Sequence, residues 1–432
     1  MQISSVQPSP DRANAGTRAT TRKIVVATAL GNGLEIFDFT VYSFFAAYIG
    51  SAFFPTHDPI SSLLLAVGTF GVGFFARPVG ALLLGSYADR VGRRDAMTLS
   101  ILLMAIGTCL ISLCPTYGQI GWAAPVLIVG GRILQGFAAG GEIGTATTYL
   151  MESGSQHRRG FMVGWQMVSQ GVSSVIGALC GYVLSHALAP DALAAWGWRV
   201  PFAIGTLIAP IGFYIRRHLP ESPQSGARDA HRHPLGELWA GHRNDMLAAI
   251  GLTTGQTVTM YVMVFYMPSY LTRIVHLPAS TGFATALGAS IAFTIFAFIG
   301  GFVADRCASR KALVRPAFIL STAACLPALW IVTRTTHPAV VVTTVMVVTA
   351  LLGFGVVATL LLMMELFPAN VRATAFSTTY ALANTLFGGT AQFVVTAMIA
   401  RTGQPFSAAW YVVACDLISL AAVLCVRERR MD

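Results

Sequence analysis

Charge is scarce in this chain. Only 11% of its 432 residues are Asp, Glu, Lys or Arg, while 55% are hydrophobic; an ordinary soluble domain carries about 25% charged residues. A water-soluble globular protein, and with it an ordinary soluble enzyme, is excluded. No loop of the form GxxxxGK[ST] occurs, which removes ATP as an energy source. The seven cysteines (109, 114, 180, 307, 325, 415, 425) make no CxxC or ligand-like pair and read as small apolar residues, giving neither disulfides nor a metal site. All nine histidines fall in loops or near helix ends, so a mid-membrane histidine relay is missing and carboxylates are left to carry protons. Long polar stretches are also few. The longest internal one is 216–245, too short for a sizeable soluble output domain, which argues against a membrane sensor or receptor.

What is present is apolar sequence in runs long enough to cross a bilayer, each about 20 residues or more. They lie near 24–53, 61–87, 96–113, 122–151, 160–188, 198–215, 246–270, 281–304, 312–333, 339–366, 374–400 and 405–425. The expectation is an all-α membrane protein of twelve transmembrane helices. With that assignment 22 Lys/Arg residues fall in the loops and tails of one side and only Arg199, Arg273, Arg334 and Arg401 in those of the other, which places both termini in the cytoplasm. The formal charge of +10 therefore reflects membrane topology, not nucleic-acid binding. The first run is too long and too charged for a cleaved signal and is expected to stay as an anchor.

The chain also repeats itself. Gly85-Ser-Tyr-Ala-Asp89-Arg90-Val-Gly92-Arg93-Arg94 follows the second run, and Gly301-Phe-Val-Ala-Asp305-Arg306-Cys-Ala-Ser-Arg310 follows the eighth, at an offset of 216. A second echo, Glu152 with Arg159 and Glu365 with Arg372, follows the fourth and tenth. The expected organisation is a cytoplasmic N-tail (1–22), a six-helix bundle (23–215), a cytoplasmic linker (216–245), a second six-helix bundle (246–425) and a C-tail (426–432).

Charges inside the runs locate the chemistry. Glu35 and Asp38 share one helix face, about mid-bilayer, where an ionised side chain costs at least about 2.5–3.5 kcal/mol and must face protein or water with a partner. Either one carries a coupling proton, or they form a permanent pair with Arg77 or Arg132. These arginines, in the second and fourth runs, offer planar forks that match a carboxylate substrate; the plainer alternative is that they only neutralise Glu35, Asp38 or Glu142. Three acids and two arginines leave the first half at −1, or zero with one proton bound. Gln135 shares a helix face with Glu142, and the glycines at 136, 140, 141 and 144 suit close helix packing. The second half offers Gln256, Tyr261, Tyr266, Asn384 and Gln392 for hydrogen bonds and shape. Asp416, in the last run, has no assigned role.

GxxxDRxGRR at 85–94, with its degenerate copy at 301–310, resembles the signature of the major facilitator superfamily. GNxxExxDF at 31–39, RPxG at 77–80 and RxxQGxxxGGE at 132–142 resemble its metabolite:proton symporter branch, the bacterial organic-acid and osmolyte carriers. Trp165-Gln166-Met-Val-Ser169-Gln170 is more similar to citrate/tricarballylate members than to proline/betaine members. The resemblance implies a multi-pass carrier of the bacterial inner membrane, with no cofactor and the proton as coupling ion. Its partners would be a small organic anion, protons and lipid; a monomer is expected. It implies proton coupling at Glu35, Asp38 or Glu142, and substrate contacts from Arg77, Arg132, Gln135, Trp165, Gln166, Gln170, Gln256, Tyr261, Tyr266 and Asn384. Gating would fall to Gly85, Asp89, Arg90, Gly92, Arg93, Arg94, Glu152, Arg159, Asp305, Arg306, Glu365 and Arg372. Uptake of a di- or tricarboxylate such as citrate or tricarballylate is the leading expectation. A proton-coupled exporter of drugs or metabolites, or a symporter for shikimate, 2-oxoglutarate, proline or betaine, stays open beside it.

Overall fold

The computed structural model describes residues 33, 35–91, 93–140, 159–206, 235–368 and 371–426, without the side chains at 85, 88, 89, 93, 94, 97 and 235–240. These residues are built from helices, with no strand among them. Besides the short helices Tyr117–Ile120, Pro190–Ala195 and Gly197–Arg199, they are in chain order α1 (Glu35–Phe44 with Ala46–Phe53), α2 (Pro59–Val91), α3 (Arg93–Leu113), α4 (Ala123–Ala139), α5 (Arg159–Ala187), α6 (the helical residues 200–206), α7 (Gly241–Arg273), α8 (Ala279–Ala304), α9 (Arg310–Val332), α10 (Pro338–Glu365), α11 (Arg372–Thr402) and α12 (Ser407–Cys425). Eight are long and apolar enough to cross a membrane, nine with the bent pair of α1. For α2, α3, α5 and α7 to α12 the bounds fall within about five residues of the apolar runs, because each run is closed by a polar or turn-forming stretch; the runs at 24–53, 122–151 and 198–215 extend beyond the described residues.

The same helix pairings occur twice. α2 and α3 each pack on α4, and α8 and α9 each pack on α10. Between the two sets, α5 packs on α8 and α2 on α11, contacts that exchange under the same correspondence. Small residues make the close crossings possible. A Cβ at Gly136 would collide with the Gly73 carbonyl, and one at Gly80 with the Phe137 carbonyl. α2 and α4, the helices carrying Arg77 and Arg132, are thereby held backbone to backbone.

Three spans depart from regular α-helix. α1, one uninterrupted run in the sequence, bends by 68° between Phe44 and Ala46. The bend frees the Ala47 N–H, which donates to Ser269 Oγ of α7 at 3.3 Å, while Ser43 Oγ donates to the Phe265 carbonyl at 3.1 Å. In an apolar surrounding a broken helix survives only where neighbours satisfy the released groups, as these do. α7 contains a π segment at Tyr261–Tyr266 and α11 one at Asn384–Gly388. They lie side by side, Gly388 facing Thr257 and Tyr261.

Candidate functional site

The sequence puts Glu35, Phe39 and Tyr42 about one helical turn apart on α1, with Asp38 beside them. α2 brings Arg77 against this face and α4 brings Arg132. The Arg77 guanidinium lies 3.8 Å from Glu35 Oε1, with both side chains buried. It also stands 4.3 Å from the centre of the Phe39 ring and 4.2 Å from that of Phe74. The Arg132 guanidinium is 4.4 Å from the rings of Phe39 and Tyr42 and 5.1 Å from Phe70. One phenyl ring, Phe39, thus supports both cations. Contacts of this kind, out of water, are worth about 2 kcal/mol or more each, which helps hold two like charges in a dry place.

Arg132 has no carboxylate within ion-pair distance among the described residues. Instead it opens a chain of hydrogen bonds. Its Nη1 donates to Gln135 Oε1 at 2.7 Å, Gln135 Nε2 donates to Thr108 Oγ1 at 2.8 Å, and Thr108 Oγ1 donates to Asp38 Oδ2 at 2.5 Å. Every donor in the chain points toward Asp38, as an ionised carboxylate requires. The Thr108 hydroxyl also lies 3.0 Å from the Met104 carbonyl, an alternative acceptor for its single proton. Arg132 Nε and Nη2 and Asp38 Oδ1 have no hydrogen-bond partner among the described residues. Arg132 is fully buried, at 0% exposure. A buried guanidinium with two unused nitrogens is set up to receive an acceptor.

The second set of helices supplies the opposite wall. Tyr261 meets Phe70 and Phe74 with ring centres 6.0 and 5.6 Å apart, and both Tyr261 and Tyr380 lie within electrostatic reach of Arg77 and Glu35. Gln256 is buried with Oε1 unpartnered among the described residues, and the Asn384 amide donates to the Tyr380 carbonyl at 2.9 Å. Gln392 Nε2 donates to Ser43 Oγ at 2.5 Å, joining α11 to the α1 bend.

The Tyr266 hydroxyl is engaged with Thr396 Oγ1 at 2.6 Å, a bond between α7 and α11. Gln166 and Gln170 are buried on α5, Gln170 with Nε2 unpartnered among the described residues. Trp165 is 38% exposed, edge-on to Phe161 and Phe298. Glu142, Glu152 and Gly92 lie outside the described residues, as do the side chains of Asp89, Arg93 and Arg94; Gly85 lies within α2, and Arg90, near its end, is exposed.

Of the gating set, Asp305 has the clearest geometry. Its carboxylate accepts the Gly160 N–H at 2.6 Å and the Phe161 N–H at 2.8 Å, capping the start of α5, which Arg159 opens. An acid on unsatisfied amides at the positive end of a helix is the favourable arrangement. Glu365 pairs with Arg310 at 3.4 Å, while Arg372 donates to the Met364 and Phe367 carbonyls. Arg306, just past the end of α8, stacks on Phe302 and donates to that residue's carbonyl.

Sequence reasoning did not single out Phe39, Phe74, Thr108, Tyr380 or Ser43. Phe39 could have been found, since it closes the GNxxExxDF motif; Thr108 is a lone hydroxyl in an apolar run and carries no signal of its own.

Helices paired twice over, crossing closely between the two sets and enclosing buried charge, define a polytopic secondary transporter rather than an enzyme. The chain belongs to the Major Facilitator Superfamily, whose family model matches residues 28–392. It is 36% identical over 414 residues to a citrate-proton symporter of Salmonella typhi, covering 94% of each chain, and 35% identical to one of Klebsiella pneumoniae, covering 100% of this chain and 96% of that one. An alpha-ketoglutarate permease of Escherichia coli strain K12 is 31% identical, with 95% of each chain covered. Among solved structures, a partially occluded inward-open form of the xylose transporter XylE from E. coli has the same fold. Its TM-score is 0.75 at 17% identity, over 95% of this chain and 98% of that one.

Proposed function

We propose that this protein is a proton-coupled symporter that imports a small di- or tricarboxylate, with citrate or tricarballylate as the cargo, by alternating access. The observation that carries the reading is the buried Arg132 guanidinium with two nitrogens unpartnered among the described residues, beside an Arg77 that already holds a carboxylate. The citrate-proton symporters at 35–36% identity over nearly the whole chain support the same cargo class.

Arg132 takes one substrate carboxylate through its free Nε and Nη2, the side-on fork that binds two oxygens at once. Arg77 takes the second when Glu35 is protonated, because a neutral Glu35 no longer competes for the guanidinium. Substrate departure and Glu35 deprotonation restore the Arg77–Glu35 pair, so cargo and proton travel together. Asp38 reads the state of the other arginine. If Asp38 gains the proton, its O–H donates to Thr108 Oγ1, and the Thr108 proton turns to the Met104 carbonyl 3.0 Å away. Gln135 keeps its bond to Thr108 throughout, and Arg132 is released from the negative charge at the far end of the chain. Glu142 is a third candidate for this role. Gln166, Gln170, Gln256, Tyr261, Tyr380 and Asn384 fit the cargo by hydrogen bonds and shape.

The twelve helices act as two six-helix bundles, 23–215 and 246–425, joined by a cytoplasmic linker at 216–245 between cytoplasmic tails at 1–22 and 426–432. They rock about the central charges in the inner membrane of a bacterium, each chain working as a monomer. Bonds of Asp305 to α5, together with the charges of Asp89, Arg93 and Glu152, latch the cytoplasmic end. Uptake of labelled citrate into proteoliposomes holding the purified chain tests the reading. Accumulation should follow an inward proton gradient and vanish when the gradient is collapsed; uptake indifferent to the gradient, or none with citrate and tricarballylate, would sink it.

A further inference from the structure

Asp416 on α12 is 1% exposed and lies where α12 meets α7 and α9. Thr259 Oγ1 of α7 donates to its Oδ1 at 2.9 Å, and the Cys325 thiol of α9 lies 3.8 Å from Oδ2. A Cβ on Gly255 of α7 would stand 2.6 Å from Oδ1, so glycine there makes room for the acid. α9 adds the hydroxyl of Thr322, and α11 meets α12 through Thr390 and Tyr411. The titratable groups facing Asp416 are the thiols of Cys325 and of Cys415 on its own helix. Lys311 of α9 is spent on the Val426 carbonyl. No cation stands within ion-pair distance of Asp416 among the described residues.

The first six helices contain the same construction with two parts exchanged. Asp38 sits on α1, Thr108 on α3 donates to its Oδ2, and a Cβ on Gly205 of α6 would stand 2.7 Å from its Oδ1. In the repeat, α1, α3 and α6 correspond to α7, α9 and α12. Asp38 and Gly255 are offset by 217 residues, Thr108 and Cys325 by the same 217, and Gly205 and Asp416 by 211. Acid faces glycine in both halves, but the acid stands on the first helix of one half and the last helix of the other.

We propose that Asp416 is a second proton-binding site of the carrier, the counterpart of Asp38 in the last six helices, loading and releasing one H⁺ per transport cycle. The proposal rests on the symport reading above. A carboxylate buried with hydroxyl and thiol neighbours and no cation is neutralised by a bound proton. Loading forms an O–H bond on Asp416 with a proton from the outer aqueous side; release breaks that bond to water on the inner side and leaves the carboxylate. One positive charge moves inward per turnover. Thr259, the donor that holds Oδ1, is two residues before the Tyr261–Tyr266 π segment, a point where a helix changes its bend readily. Rebending α7 as the bundles rock would draw Thr259 off Asp416 and change its hold on the proton.

The test is the proton:citrate ratio of the full chain in proteoliposomes, read from the pH gradient that just balances an imposed citrate gradient. Asp416→Asn should lower the ratio by one while citrate counterflow, which needs no net proton movement, persists. An unchanged ratio overturns the proposal. Should Asp416→Asn give no transport, Thr259→Val keeps the acid and removes its donor; the pH midpoint of uptake should then move alkaline by about one unit, and an unmoved midpoint overturns the proposal. Wild-type citrate flux without protons would overturn the symport reading and this inference together, whereas coupled wild-type flux with an unaltered Asp416→Asn ratio overturns this inference alone.

Discussion

At the residue scale, the proposed cycle divides the work between Arg132 and Glu35. Arg132 is held by aromatic faces and one amide, so its remaining donors are free for cargo. Lysine keeps the charge but loses the fork, and a charge-assisted hydrogen bond is worth about 1.5–3 kcal/mol. Arg132→Lys should therefore reduce citrate kcat/KM by about ten- to hundredfold, measured as initial uptake rates across citrate concentrations; a wild-type value would remove Arg132 from the cargo site. Glu35→Gln fixes the neutral form. It should strip one proton from coupled citrate uptake and leave citrate exchange between preloaded vesicles and medium intact, because exchange needs the Arg77 site but not the Glu35 proton. Loss of both activities would make the Glu35–Arg77 pair a structural one.

Elements turn these side chains into a site through backbone proximity. α2 and α4 approach so closely at Gly73 and Gly136 that a valine at 136 has nowhere to go but into the Gly73 carbonyl. Overpacking of this kind costs about 1–3 kcal/mol, so Gly136→Val should lower the melting temperature of the purified protein in detergent. It should also separate Arg132 from Phe39, with loss of uptake. The start of α2 is held differently. Asp58 accepts the N–H groups of Ile60 and Ser61 and the Ser61 hydroxyl, and the hydroxyl bond first among these holds its carboxyl below the usual carboxylate range. A carboxyl depressed in the folded state lends stability above its unfolded value and loses it as the pH falls. Melting of Asp58→Asn should accordingly depend less on pH than the wild type in the acid range, and equal slopes would remove the cap from the account.

At the scale of the whole molecule, one cross-bundle bond set stands out. Asp305 of α8 caps the first amides of α5, joining the two helix sets. Asparagine keeps one acceptor oxygen and loses the charge, about 1 kcal/mol or a factor of about five in a two-state balance. Asp305→Asn should raise thiol labelling of a cysteine placed at Phe161 by that factor; unchanged labelling would show that the cap does not bias the states.

The helical elements were legible in the chain because a segment in hydrocarbon must satisfy its own backbone, and only long apolar runs do so cheaply. The repeat was legible too, in loop motifs offset by 216 and 213 residues, and the helix pairings recur along with it. Glu35, Asp38, Arg77 and Arg132 announced themselves by cost alone: charge inside an apolar run has to be used. Partnership was a different matter. That Arg77 holds Glu35 while Arg132 reaches Asp38 only through Gln135 and Thr108, that Phe39 carries both guanidinium groups, and that α1 breaks at Phe45 against Ser269 all depend on contacts between helices distant in sequence. Asp416 makes the same point, as its equivalence to Asp38 lies in a three-helix junction and not in any local pattern. By itself the sequence determined where the chain is apolar and which charges it buries; the crossing of helices at close range decided which of those charges meet.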